Sequence, residues 1–174
     1  MKKHEFEHTI RAAGAILGTD KLLIIGSQAI HASIDFEIPE VNRSIEVDIS
    51  ALDDDDGSKA DLIDGSIGEL SMFQETYGYY AQGVTPKTAI LPSGWKARLI
   101  PFSSPQTQGI TALCLEVHDL WISKAIANRK KDKEFCRALK VLKIVNKKTL
   151  QNRFNDVKTL NKKQHDLVMA LINN

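Results

Sequence analysis

Glu46 and Asp48 stand one residue apart in "RSIEVDIS", residues 43–50, interleaved with the apolar Ile45, Val47 and Ile49. This period-two alternation predicts a β-strand, in which residues i and i+2 point to the same face. The two carboxylates then project together, while the apolar side chains fill the other side. Adjacent carboxylates repel each other and are costly to desolvate unless a positive charge lies between them. Mg²⁺, which prefers oxygen ligands and the company of phosphates, is the natural counter-charge, and Mn²⁺ is its closest chemical substitute. The competing reading is an edge strand whose polar face is simply wet.

A second feature lies twenty residues earlier. "KLLIIG" reads as a short buried strand closed by Gly26, and "SQAIHASI" as a helix that begins at Ser27, a favoured N-cap type. A strand that turns directly into a helix presents free backbone N–H groups, which together with the helix dipole favour a bound phosphate. Gly26 lets the backbone approach closely and Ser27 adds a hydroxyl. An ordinary cap looks the same. Combined with the carboxylate pair, however, Gly26-Ser27 supplies the phosphate half of a metal–nucleotide site.

The elements that must position these residues follow from periodicity. Residues 4–17 read as a helix, with Phe6, Ile10, Ala13 and Ile16 at helical spacing. Residues 52–68, "LDDDDGSKADLIDGSIG", read as a polar loop with at most a helical turn. "TYGYYAQGV" and "KTAIL" suggest a hairpin or meander, "KARLIPF" a strand, and "ITALCLEV" another strand. Beyond His118 the period becomes helical, giving helices over 119–131, 132–146 and 156–173, with 146–155 as a junction or short helix. The expected class is α+β: a mixed β-sheet flanked by helices over residues 1–118, with a C-terminal helical region, 119–174, packed on that core.

On the helix from 119, Trp121, Ile122, Ala125 and Ile126 form one apolar stripe. At helical spacing Arg129 falls near the centre of that stripe, with Asp132 beside it as an i, i+3 partner. Such a pair is either a buried structural ion pair or, through the planar fork of Arg129, a phosphate contact. Asp119 reads as the N-cap. Lys124 lies off the stripe.

The stretches "LLIIGSQAI" and "RSIEVDI" resemble the signature of the polymerase-β-type nucleotidyltransferase superfamily: strand, Gly-Ser, helix, then a strand bearing two acids in alternation. "GELSMFQETYGYYAQGV", "LPSGWKARL" and "HDLWISKAIANRKKDKEFCRALK" resemble an uncharacterised bacterial branch related to the nucleotidyltransferase toxins of abortive-infection systems. The likeness spans residues 20–145. It implies a nucleotidyltransferase fold, Mg²⁺ and a nucleoside triphosphate donor. Gly26, Ser27, Lys124 and Arg129 would hold the nucleotide, and Glu46 and Asp48 would be the catalytic, metal-binding pair. Active members usually add a third carboxylate from another central strand. "KARLIPF" offers Lys96 and Arg98 instead, which leaves Glu116 as the candidate third metal ligand. The resemblance therefore implies transfer of a nucleoside monophosphate to an RNA, protein or small-molecule acceptor. Its alternative is a catalytically degenerate module that binds nucleotide or regulates, as in toxin–antitoxin pairs.

Composition narrows the remaining classes. No apolar run approaches the roughly 20 residues of a membrane span, and "MKKHEFEHTI" has no apolar segment of a leader after it. Cys114 and Cys136 lack metal-ligand spacing and fit a reducing cytoplasm. "DDDDG" fails as a calcium loop, because Leu52 and Ile63 would occupy its first and last ligand positions. His31, His118 and His165 have no zinc-like spacing, and Tyr77, Tyr79 and Tyr80 read as packing rather than base-stacking residues. The net charge of +1 hides a division: residues 121–174 carry 14 Lys and Arg against 4 Asp and Glu. That basic third is either a set of solvated helix faces or a surface for an RNA acceptor.

Overall fold

The computed structural model describes residues 1–54 and 56–173. Asp55, one of the four consecutive aspartates, and Asn174 lie outside them. Helix α1 (Lys3–Leu17) buries Phe6, Ile10 and Ala13 and ends at Gly18, whose left-handed φ of 61° turns the chain into the sheet. Strand β1 (Lys21–Ile24) follows, then a 3₁₀ turn (Ser27–Ala32), the short helix α2 (Pro39–Asn42) and strand β2 (Glu46–Ser50). Helices α3 (Ser58–Ile67) and α4 (Met72–Tyr77) lead to β3 (Tyr80–Gly83). Strands β4 (Ile100–Phe102) and β5 (Thr111–Cys114) precede α5 (Val117–Ala127), α6 (Lys130–Val141), α7 (Lys147–Phe154) and α8 (Lys162–Asn173).

The five strands form one sheet in the order β3-β2-β1-β5-β4. β1 pairs antiparallel with β2 and parallel with β5, and β2 pairs parallel with β3. The sheet is therefore mixed, and with its flanking helices the α+β class stands. The central position of β1 explains its unbroken apolar run: Leu22, Leu23 and Ile24 are all buried, as a strand covered on both faces requires. One hydrophobic core joins sheet and tail, for Trp121, Leu139, Phe154 and Ile172 belong to the same cluster as Leu22 and Val47.

Several elements differ from their sequence reading. Residues 58–67, expected as loop, form a helix because Ala60, Ile63 and Ile67 share a buried face and Asp54 accepts hydrogen bonds from the N–H groups of Lys59 and Ala60. The expected hairpin over 76–91 is absent. Only Tyr80–Gly83 is a strand, and it pairs parallel with β2, while Pro86–Thr88 is a 3₁₀ turn. "KARLIPF" is half 3₁₀ turn, with the strand confined to Ile100–Phe102. The helix expected to run through residue 131 stops at Asn128, which adopts a left-handed φ of 55°.

Candidate metal–nucleotide site

Glu46 and Asp48 lie on one face of β2, where the alternation placed them. Parallel pairing with β3 sets Tyr80 beside Glu46 and Gln82 beside Asp48. On the other side of β2, the Ile25 N–H donates to the Asp48 carbonyl at 3.2 Å, which brings Gly26 against the Asp48 side chain. A Cβ at Gly26 would lie 1.6 Å from Asp48 Oδ2. The backbone of Gly26 is ordinary, with φ −83°, so glycine is required here by space and not by conformation.

The two acids differ in their surroundings. Glu46 Oε1 is 2.8 Å from the Lys131 ammonium, and Oε2 accepts from the Tyr80 hydroxyl at 3.1 Å. Burial works against the Glu46 charge, but Lys131 and Tyr80 outweigh it and hold the carboxyl below its usual range. The Tyr80 phenol is pushed up to about 12 by burial and by the Glu46 charge, so it remains a donor. Asp48 accepts no side-chain hydrogen bond and makes no ion pair among the described residues. Burial raises its pKa, Lys124 opposes the shift, Glu46 adds to it, and Lys131 and Arg129 oppose it from further away.

Lys124 reaches in from α5. Its side chain is 13% exposed and its ammonium is 3.8 Å from Asp132, a loose pairing. It stands in the wall between two cavities. The first, about 220 Å³, is lined by Ser27, Glu46, Lys124 and Lys131, with the Arg43–Glu134 ion pair at its rim. The second, about 460 Å³, is lined by Gly26, Asp48, Gln82, Lys124 and Arg129 and runs on to Val84, Ile90 and Ile126. Gly26, Ser27, Glu46, Asp48, Lys124 and Arg129 are thus brought to one place. The turn at Ser27 is a six-residue 3₁₀ turn and not the expected α-helix, so its dipole is smaller than the sequence reading assumed.

A model of the family described as "Nucleotidyltransferase of unknown function (DUF6036)" matches residues 5–171. The chain belongs to this nucleotidyltransferase family. No curated protein and no solved structure gave a match.

For a nucleotidyltransferase, the donor set around β2 fits a hard cation. Mg²⁺ is commonly held by one or two carboxylates, with substrate phosphates and water completing its shell. Glu46 and Asp48 would supply the protein's share. No group of three or more His, Cys, Asp or Glu suited to a metal occurs among the described residues. The strand next to β2 brings Tyr80 and Gln82, not a carboxylate. Glu116, the candidate third ligand, caps α5 instead: it accepts from the His118 N–H at 3.1 Å, from His118 Nδ1 at 2.7 Å and from Arg153 at 2.6 Å. It lines neither cavity.

Two roles on the helices are reassigned. Asp119 is not the N-cap. It is fully buried, held by a two-pronged contact from Arg98 at 2.8 and 3.1 Å and by Arg153 at 2.9 Å. This network fixes the base of α5, the helix that carries Lys124. Arg129 does pair with Asp132, but at the start of α6 and not on an apolar stripe. Its side chain is 58% exposed, and its N–H and Nε both donate to Asp132 Oδ2, at 3.2 and 2.7 Å. Tyr80, Gln82 and Lys131 were not singled out for the site from sequence. The first two arrive through nonlocal pairing. The third is aimed at β2 by the helix break, which the Asn at 128 could have signalled.

Proposed function

We propose that the protein binds a nucleoside triphosphate with Mg²⁺ or Mn²⁺ across the Glu46/Asp48 face and transfers the nucleoside monophosphate to an acceptor hydroxyl. One observation carries this reading. Asp48 is a half-buried carboxylate without a direct partner among the described residues, pressed against Gly26 and surrounded by Lys124, Lys131 and Arg129. Such a group is suited to a cation that arrives with a polyanion.

Ser27 and Lys124 face the phosphates, and Arg129 adds a planar donor from the second cavity. The apolar walls of that cavity, with Gln82 and Gln164 as polar groups, suit a nucleoside. Glu46 and Asp48 would hold the cation, which when bound would supply charge neutralisation for the triphosphate. The acceptor hydroxyl oxygen forms a bond to the α-phosphorus and gives up its proton to solvent, the bond to the bridging oxygen breaks in line, and pyrophosphate leaves. The basic residues of 121–174 suit an RNA acceptor, with a protein or small molecule as the alternative. The two free, buried cysteines fit a reducing bacterial cytoplasm, and no helix of the described residues is long and apolar enough to cross a membrane. We further place the chain in the polymerase-β-type superfamily, in the branch related to abortive-infection toxins, on the motifs around Gly26 and Glu46.

A second reading, a nucleotide-binding module without transfer activity, is favoured because β3 sets Tyr80 and Gln82 beside the two acids and no third carboxylate joins them among the described residues. Calorimetry with non-hydrolysable analogues of the four ribonucleotides tests the shared step. Asp48→Ala is expected to weaken Mg²⁺-dependent binding at least tenfold, about 1.4 kcal/mol, and equal binding by wild type and variant refutes the site. Incorporation of α-phosphate label into RNA or protein then separates transfer from binding alone.

A further inference from the structure

Both oxygens of Glu46 are occupied, one by Lys131 at 2.8 Å and one by Tyr80 at 3.1 Å, whereas Asp48 is open. The carboxylate pair is therefore half covered. Lys131 belongs to the first turn of α6, which the left-handed Asn128 directs across the start of β2. Its side chain is 57% exposed, so the ammonium can leave Glu46 without unpacking the core. It lines the smaller cavity together with Ser27 and Lys124. Among the charges that line the two cavities, Glu46 and Asp48 stand against Lys124 and Lys131, Arg129 pairs with Asp132 and Arg43 with Glu134, and Glu40 is left over. A divalent cation alone would add positive charge beside two lysines and would compete with Lys131 for Glu46. A nucleoside triphosphate brings more negative charge than the cation neutralises, and offers Lys131 a new partner.

We propose that Lys131 is a phosphate-responsive counter-ion, which holds Glu46 against free divalent metal and moves to the nucleotide's phosphates when metal and nucleotide arrive together. This rests on the metal–nucleotide reading of the site, and deepens it by assigning a positioning residue that makes the two ligands interdependent. A static pair that merely ties α6 to β2 would show no such dependence.

The test is binding, with Mn²⁺ as the probe, alone and with a non-hydrolysable nucleoside triphosphate, in wild type, Lys131→Met, Lys131→Arg and Asp48→Ala. Wild type should bind Mn²⁺ weakly alone and more tightly with nucleotide. Lys131→Met, which keeps the aliphatic stem, should bind free Mn²⁺ about fivefold more tightly and the Mn²⁺–nucleotide pair about fivefold more weakly, the scale of a half-exposed ion pair. Lys131→Arg should restore most of the wild-type pattern. If Lys131→Met leaves either affinity unchanged, while Asp48→Ala abolishes binding, the role of Lys131 is overturned and the site stands. If wild type shows no Mn²⁺-dependent nucleotide binding, or Asp48→Ala leaves it intact, the site itself is overturned and the proposal with it.

Discussion

Replacing Gly26 by alanine adds one methyl group at the closest contact of the site. The new Cβ would meet Asp48 Oδ2 at 1.6 Å, Cγ at 2.6 Å and Cβ at 3.0 Å. Ordinary carbon contacts lie near 3.5–4.0 Å, so the whole Asp48 side chain must move, or β1 and β2 must part. Since φ at Gly26 is −83°, alanine meets no conformational penalty there. In the absence of a clash, Gly→Ala would stabilise by roughly 0.4–1 kcal/mol through the unfolded chain. Overpacking typically costs about 1–3 kcal/mol, and the balance is an expected loss of about 1–2 kcal/mol. In an Asp48→Ala background, only the 3.0 Å contact remains and the same change should cost less than about 0.5 kcal/mol. Urea unfolding of the four proteins in this cycle measures the coupling. A Gly26→Ala protein as stable as wild type, or destabilised equally with and without the Asp48 carboxylate, refutes the contact. Because the displaced carboxylate is the proposed metal ligand, Gly26→Ala should also abolish Mg²⁺-dependent nucleotide binding.

Asp119→Ala should lower stability by about 3–5 kcal/mol, since at a fully buried position it strips Arg98 of its carboxylate partner and leaves Arg153 with Glu116 alone. Arg129→Ala should cost less, about 1–2 kcal/mol, because that guanidinium is 58% exposed and the buried Asp132 keeps only the loose contact with Lys124; chemical denaturation that ranks the two the other way defeats this assignment. For Glu116, burial opposes the charge, but His118 and Arg153 outweigh it and bring the carboxyl from 4.5 to about 2. A folded-state pKa below the unfolded one gives stability that is full above 4.5 and lost as pH falls toward 2. The urea midpoint of wild type should therefore fall across that window more steeply than that of Glu116→Gln, and parallel curves would contradict it. Filter binding with tRNA should show retention at low salt that declines at physiological salt and on charge reversal at Lys147, Lys148, Lys162 and Lys163, as counterion release demands; no retention at low salt would favour a protein or small-molecule acceptor.

Local periodicity made part of this architecture legible. The alternation in "IEVDI" placed Glu46 and Asp48 on one face, and Gly26-Ser27 abuts them because β1 and β2 are antiparallel neighbours, although the 3₁₀ turn and α2 lie between them in the chain. Helix α1 and the helical tail were equally clear. Nonlocal pairing was not legible: nothing in "GYYAQG" says that it runs parallel to β2 and sets Tyr80 and Gln82 beside the acids. Helix α3 was obscured by Asp and Gly within a narrow apolar face. The helix phase at Arg129 failed for a readable reason. "ANRKKD" contains Asn, a common left-handed terminator, followed by an acid placed to accept from the N–H of Arg129, the residue that caps the next helix. Carrying one periodicity through that signal put a half-exposed arginine inside the core.

The order of the strands also governs when the site comes into being. β1 is made early, yet its parallel partner is β5, whose Thr111 pairs with Lys21 across most of the chain. Such long-range pairing closes slowly and late. Lys124, the residue between the two cavities, lies on α5, which follows directly on β5. During synthesis the carboxylates and the Gly-Ser turn therefore emerge well before the lysine that faces them, and the apolar edge of β1 waits uncovered until β5 arrives. A product interrupted before α5 would carry Glu46 and Asp48 without Lys124, and on the proposed reading of the site would lack affinity for nucleotide.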